Sequence, residues 1–277
     1  MKVSKRNKTT KAAVPAPPSR RRLWPWALGL FAALFIALQV YGPAIGGPFL
    51  YDDRYLPFMT PDISMVPLMS WLHGMRPFLM LTFWINYQIG GDNPYSYHVV
   101  NVLLHFADSV LIALIVHKLL GWVKAERSTN IVLSVFAGGL FLLHPLQTES
   151  VTYVASRSDS LSVLLFNAAF LVFLYRRRTE ASWPVAAAVL ALFGVAVLSK
   201  EHTAVLPALL LLTDYFWNPG FSFAGIRKNW RLYAPVAVGA AAGLAFVWRV
   251  LSASNSAGFH MKGLAWYQYF FTQCRAI

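Results

Sequence analysis

Residues 98–120 read HVVNVLLHFADSVLIALIVHKLL, and the reading of this stretch decides the fold class. A run this apolar has the length of about twenty residues that a helix needs to cross a bilayer. It nevertheless carries His98, Asn101, His105 and Asp108. Spacings of four and three put the last three on one helical stripe, which lipid would not cover willingly. The stripe is expected to face a cavity or another helix, as functional groups or as a hydrogen-bonded seam between helices.

Six further segments resemble it in apolarity. With His98–Leu120 they make seven expected spans, the others being Trp24–Tyr41, Ile131–Leu143, Ser160–Tyr175, Trp183–Leu198, Thr203–Phe216 and Leu232–Leu251. Several are short, so tilted or partly shielded helices are expected. The composition agrees, because 57% apolar and 13% charged residues are the reverse of what a water-covered surface needs. Backbone groups in lipid must pair internally, and long apolar runs favour helices over a closed barrel. The fold class expected is therefore an all-α integral membrane protein, a multi-pass helical bundle.

The net charge of +13 would suggest nucleic acid in a soluble chain, but its distribution matters more. Lys2, Lys5, Arg6, Lys8, Lys11, Arg20, Arg21 and Arg22 all precede the first apolar run. Residues 1–22 read as a basic, disordered, cytoplasmic leader able to touch anionic lipid, with a Pro-rich stretch from Pro15 to Pro18. No folded nucleic-acid module is visible, and membrane lipid is the expected partner instead. A signal peptide is the rival reading of Trp24–Tyr41, but no small-residue cleavage site follows before Tyr51. The single Cys274 excludes an internal disulfide framework and a cysteine-built metal site.

Alternate connections test the orientation. Lys118, Lys124 and Arg127, then Arg176, Arg177 and Arg178, then Arg227, Lys228 and Arg231 fall on one side, the cytoplasmic one by the positive-inside rule. Asp52, Asp53, Arg54, Asp62, Arg76, Asp92, Glu149, Arg157, Asp159, Lys200 and Glu201 fall on the other. The long first outer loop, Phe49 to Gly91, holds amphipathic pieces at Met65–Met75 and Phe78–Ile89 that are expected to lie along the outer surface.

Three constellations on the outer side could carry chemistry. Asp52 and Asp53 follow a Gly- and Pro-rich approach, and an ionised carboxylate there could act as base toward a hydroxyl. A hydrated acidic loop is the bland alternative. His144 and Glu149, with Arg157 and Asp159 beyond, sit around Pro145. Five residues separate His144 from Glu149, about 140° around a helix, which is not the one-face pairing of a zinc protease. A Pro-broken helix end with Glu149 and Arg157 as an ion pair is the alternative there. Lys200 and Glu201 close the fifth span, where a cation could meet a phosphate or simply snorkel beside its neutralising neighbour. The tryptophans at 24, 26, 183, 217, 230 and 266 read as interface-belt residues.

The order of these motifs resembles a known group. Asp52-Asp53, Arg76-Pro77 with Leu81-Thr82 and Asn86-Tyr87, then His98 with Asn101 and His105, His144-Pro145 through Val151, Arg157 with Asp159, and Ser199-Lys200-Glu201 look like the membrane part of the transmembrane and tetratricopeptide-repeat O-mannosyltransferases and their bacterial relatives. The resemblance covers about Phe49 to Ile277. It implies that residues 23–277 form a GT-C type glycosyltransferase domain. Such an enzyme moves a sugar, mannose by this resemblance, from a polyprenyl-phosphate donor to a hydroxyl acceptor such as protein Ser or Thr. The active face would be non-cytoplasmic, periplasmic in a bacterial inner membrane.

By the same resemblance, Asp52 and Asp53 hold the catalytic position. Arg76, His98, His105, His144, Glu149, Arg157, Asp159, Lys200 and Glu201 are expected substrate-binding residues, with Arg76, His144, Arg157 and Lys200 as phosphate or head-group contacts. No cofactor is certain, and a divalent metal stays open. Family members continue into further helices and helical repeats, whereas this chain stops at Ile277, so a truncated chain is expected that could be inactive alone. A transporter or flippase for a lipid-linked or anionic solute is the runner-up, and a non-catalytic membrane anchor the third reading.

Overall fold

The computed structural model describes residues 24–74, 76–176, 180–217, 221–253, 263 and 265–276. The basic leader, Arg177 and Arg178 lie outside the described residues. Among those described, the chain is helical with no strand. The helices are α1 (Trp24–Ile45), α2 (Leu68–Trp71), α3 (Pro77–Gly90), α4 (Pro94–Trp122), α5 (Arg127–Leu143), α6 (Thr148–Thr152), α7 (Arg157–Leu174), α8 (Trp183–Val197), α9 (Leu206–Trp217), α10 (Ala224–Lys228), α11 (Trp230–Ala253) and α12 (Trp266–Ala276).

Each of the seven expected segments is a helix. By length and composition, three helices can cross a membrane: Trp24–Ile45, Pro94–Trp122 and Val154–Leu174. A fourth arises if Arg127–Leu143 and Pro145–Thr152, bent by 49°, count as one span. Helix α8 is apolar but shorter. The bend falls at Pro145, which lacks an N–H and pushes His144 out of helical geometry. The chain is an all-α membrane protein, and its outward surface agrees: Phe31, Phe35, Val132 and Phe136 are exposed side chains that only lipid would cover.

Two cores divide the bundle along its length. Toward the end that carries α7's last turn, Ile115, Phe170, Phe173, Leu174, Val189, Leu206, Leu210 and Leu232 pack together. Toward the other end, the first outer loop folds down on the bundle, burying Phe49, Phe58, Ile63, Trp71, Leu79 and Phe83 against Tyr97, Val154 and Leu161. Phe58 is 2% and Phe83 0% exposed, so each contributes roughly 1.5–3 kcal/mol by burial. The loop between the first two spans is thereby a packed layer, built of three-residue to five-residue 3-10 turns and α2 before α3 begins.

Helices α4 and α5 meet most closely at Gly138. A Cβ there would lie 2.8 Å from the Ser109 carbonyl oxygen and 2.9 Å from Ala113 Cβ. Small residues let backbones approach in this way within a membrane. Gly138→Val is expected to lower stability by about 1–3 kcal/mol, because the neighbours are backbone and a short side chain that cannot move aside. Gly139→Ala, which adds a methyl group to open space, is the neutral control in a thermal unfolding comparison in detergent.

The expected charge asymmetry is visible at the two ends. Lys118 lies over the rings of Trp122 and Tyr175 at 5.8 and 4.9 Å, and Arg231 over Trp183 and Trp230 at 5.5 and 5.8 Å. Arg176 pairs with Asp214 at 2.7 Å, and Asn229 and Tyr233 also bond Asp214. Asp214 ties the ends of α7, α9 and α11 together at this basic, aromatic end. The acidic residues at 52, 53, 159 and 201 are at the opposite end.

Candidate functional site

The chain leaves α1 through Gly46, Gly47 and Pro48 and turns sharply at Tyr51, whose φ of 45° is left-handed. An aromatic residue adopts that conformation at a cost of order 1–3 kcal/mol, met here by the contacts that follow it. The 3-10 turn Tyr51–Tyr55 then presents the two carboxylates in opposite ways. Asp53 is 1% exposed; its Oδ1 accepts from the Ala155 N–H at 2.7 Å and its Oδ2 from the Leu50 N–H at 3.1 Å. Asp52 is exposed, its backbone N–H donates to the Tyr153 hydroxyl at 2.8 Å, and its side chain lies beside the same phenol. Asp53 thus pins the loop to residues 153–155, and Asp52 carries the exposed carboxylate of the pair.

Tyr153 takes part although the sequence reading passed over it. Its phenol is held above the ordinary tyrosine value by burial and by the negative charges of Asp52 and Asp53, while the bond from the Asp52 N–H acts the other way. Its ring meets the exposed Tyr51 ring edge-on at 6.4 Å. A lone tyrosine in a helix-end segment gives no signal that it will reach a residue a hundred positions earlier.

A second cluster lies on the same end. Arg76, which precedes α3, forms a two-pronged pair with Glu201, Nε to Oε1 at 3.3 Å and Nη2 to Oε2 at 3.0 Å. Lys200 pairs with Asp159 in the first turn of α7. These four side chains form an alternating row that joins the first outer loop, the 199–205 corner and α7. All four keep substantial exposure, between 27% and 51% of their side chains.

The bond from Arg76, ahead of the smaller contributions around it, holds the Glu201 carboxyl below the ordinary glutamate range. Because the folded value is depressed, the stabilisation is present at neutral pH and is lost as pH falls through that depressed value. Both partners are half exposed, so the link is worth less than about 1 kcal/mol. A thermal unfolding series is expected to show wild type slightly above Glu201→Gln at about pH 7, with the gap closing by about pH 3.

The remaining expected site residues are interior or locally engaged. Arg157 is 0% exposed. Its Nε donates to Asn101 Oδ1 at 2.8 Å, and Nη2 to Asn86 Oδ1 at 2.7 Å and the Tyr97 carbonyl at 3.1 Å. A longer bond of 3.4 Å from Nη1 reaches the Thr82 carbonyl. The guanidinium also lies 4.5 Å from the Phe83 ring centre and 5.5 Å from that of Tyr97. Its donors are taken up by this amide and carbonyl cage rather than by Glu149, the alternative partner, which is exposed. His144 accepts from the Leu146 N–H at 3.2 Å and so caps its own turn.

His105 bonds the Leu142 carbonyl at 3.1 Å, with the Tyr41 hydroxyl 3.4 Å away, and Asp108 accepts from Asn167 at 2.7 Å. The polar stripe of α4 is thus a seam to α1, α5 and α7. His98, 4% exposed, lies against the backbone of Gly47 and Thr152 and near Asp53. Among the described residues no three His, Cys, Asp or Glu side chains gather as a metal site.

Comparison with known proteins then gives the relationship. Protein O-mannosyl-transferase Tmtc2 of Drosophila melanogaster is 33% identical over 205 residues, 65% of this chain and 21% of the relative. Protein O-mannosyl-transferase TMTC1 of Homo sapiens is 32% identical over 173 residues, covering 56% and 19%. Human TMTC3, which bears the same description, is 30% identical over 149 residues, covering 53% and 15%. The chain is a relative of the protein O-mannosyl-transferases of this group. It spans about a fifth of the length of these curated relatives. No family model matches, and no solved structure matches.

Proposed function

We propose that this chain is the catalytic membrane part of a glycosyltransferase that moves mannose from a polyprenyl-phosphate donor to protein Ser or Thr hydroxyls. The observation that supports it most is that an exposed carboxylate, Asp52, and two partly exposed cations, Arg76 and Lys200, lie at the same end of the bundle. In this reading the seven helices all span the membrane in a GT-C-like arrangement. The end bearing Asp52 faces the non-cytoplasmic side, and the basic, aromatic end faces the cytoplasm.

Asp52 is the base. The acceptor oxygen attacks the anomeric carbon from the face opposite the phosphate, the carbon–phosphate-oxygen bond breaks with its electron pair leaving on the phosphate, and the acceptor proton passes to Asp52. The sugar carbon becomes cation-like as the phosphate departs, so positive charge is needed beside the leaving group. Lys200 and Arg76 supply it, prepositioned by Asp159 and Glu201. Asp53 positions Asp52 through the turn they share.

The carrier reading has less support, because His105, Asp108 and Asn101 are taken up in helix-to-helix hydrogen bonds. Membranes containing the full-length protein, incubated with labelled polyprenyl-phosphate mannose and a Ser/Thr peptide, separate the readings. Label in the peptide is the expected result. Label crossing vesicles without transfer would instead indicate a carrier, and neither outcome an anchor.

A further inference from the structure

At the basic, aromatic end of the bundle one guanidinium is left without an anion. Arg231, in the first turn of α11, lies 5.5 Å from the Trp183 ring centre and 5.8 Å from that of Trp230. The two indoles meet edge-on at 5.7 Å with 85° between their planes, so they form a corner around the cation. Arg176, at the same end, has the Asp214 carboxylate and the Phe173 carbonyl. Arg231 has neither: among the described residues it has no ion pair and no hydrogen-bond acceptor. Its Nε is buried, so a partner must be met by Nη1 and Nη2, which are not.

The corner itself does not need Arg231. Asn229 ties the start of α8 to α9, accepting from the Ala181 N–H at 2.7 Å and donating to Asp214 at 2.8 Å. Two ring faces replace only part of the hydration that a half-buried cation gives up, so an outside anion is wanted. The surroundings select its kind. Trp183 and Trp230 are 58% and 53% exposed, and Arg227 and Lys228 on α10 are exposed beside them. Along α11, Pro235, Val238 and Ala242 follow Arg231 at intervals of four, three and four, which is one helical stripe, and all three are exposed.

We propose that Arg231, Trp183 and Trp230 seat the phosphate of one anionic phospholipid of the cytoplasmic leaflet, with an acyl chain along Pro235, Val238 and Ala242. A soluble anion would satisfy the guanidinium and leave the apolar stripe bare, whereas a phospholipid covers both. The indole N–H groups, amphipathic at a membrane interface, add donors toward its glycerol esters. Anionic lipid is concentrated on that leaflet, where each basic side chain is drawn to it. The seat lies at the end opposite Asp52, so its occupant is not the sugar donor. The assignment rests on the reading that α11 spans the membrane, and not on the transfer reaction.

Its test follows the thermal midpoint of the full-length protein in neutral detergent during titration with phosphatidylglycerol. Phosphatidylglycerol is expected to raise the midpoint, and phosphatidylcholine or inorganic phosphate at the same concentration to leave it in place. Arg231→Gln should weaken the apparent phosphatidylglycerol affinity about ten- to a hundredfold, the loss of hydrogen bonds to a charged group. Its midpoint without lipid should stay close to wild type, because no hydrogen bond or ion pair within the protein is removed. Arg231→Lys, which keeps the charge without the fork, should fall between and decides the matter if Arg231→Gln does not fold. Arg227→Gln should stay within about twofold of wild type, since a diffuse surface charge contributes little. Wild-type affinity in both Arg231 variants would overturn the seat, as would an equal loss in Arg227→Gln, the mark of diffuse attraction, or an equal shift with inorganic phosphate. The spanning reading has its own check: Val238→Cys in a Cys274→Ser background should resist a water-soluble maleimide in intact membranes. Labelling there would refute the span, whereas protection at Val238 with no selective effect of Arg231 would refute the seat alone.

Discussion

Asp52→Asn is expected to lower mannosyl transfer by about 10²–10⁴-fold while the folded protein remains as stable as wild type. The structure gives this substitution an unusually clean outcome. The Asp52 carboxylate is exposed and its backbone N–H, which an asparagine retains, makes the bond to Tyr153. Asp53→Asn should behave differently. Both Asp53 oxygens accept backbone N–H groups, and an amide can offer only one acceptor, leaving its NH₂ facing a donor. That change should cost about 1.5–3 kcal/mol of stability, the scale of a hydrogen bond to a charged group, and lower activity in proportion to the misplaced turn. Comparing kcat with thermal midpoint for the two variants separates a base from a positioning residue. Full activity in Asp52→Asn would remove the base from Asp52.

Replacement of Arg157 is expected to give the largest loss of stability in the molecule. Arg157→Met removes the donor for Asn101, Asn86 and the Tyr97 carbonyl at once, in a cage with no solvent to replace it. The expected loss is roughly 3–5 kcal/mol, enough to deplete folded protein from the membrane. Arg157→Lys keeps the charge but not the planar fork, so an intermediate loss is expected. Thermal unfolding in detergent, with expression level as a second readout, checks both. A stable Arg157→Met protein would mean that the cage relaxes around the missing guanidinium. Catalysis enters only through α3, α4 and α7, which the cage joins, since Arg157 has no exposed surface.

The sequence by itself determined the class and the segments. Apolar runs long enough for a helix had to become helices, because in lipid no other local structure satisfies the backbone. Charge asymmetry between alternate connections, a one-dimensional signal, placed acidic and basic groups at opposite ends before any contact was known. The polar stripe Asn101, His105 and Asp108 was likewise legible, since helical periodicity alone sets which side chains share a face.

Tertiary structure decided what each polar residue does, because burial and partnership depend on chains far apart in sequence. Asp52 and Asp53 are adjacent and chemically identical, yet one is sealed under Ala155 and the other stands in the open. Arg157 and Arg76 are both arginines assigned by sequence to the outer side, yet one is caged by amides and the other half exposed beside Glu201. Spacing along a chain fixes the direction in which a side chain leaves its helix. Only the packing of other elements around it fixes whether water, a substrate or the protein itself meets it there.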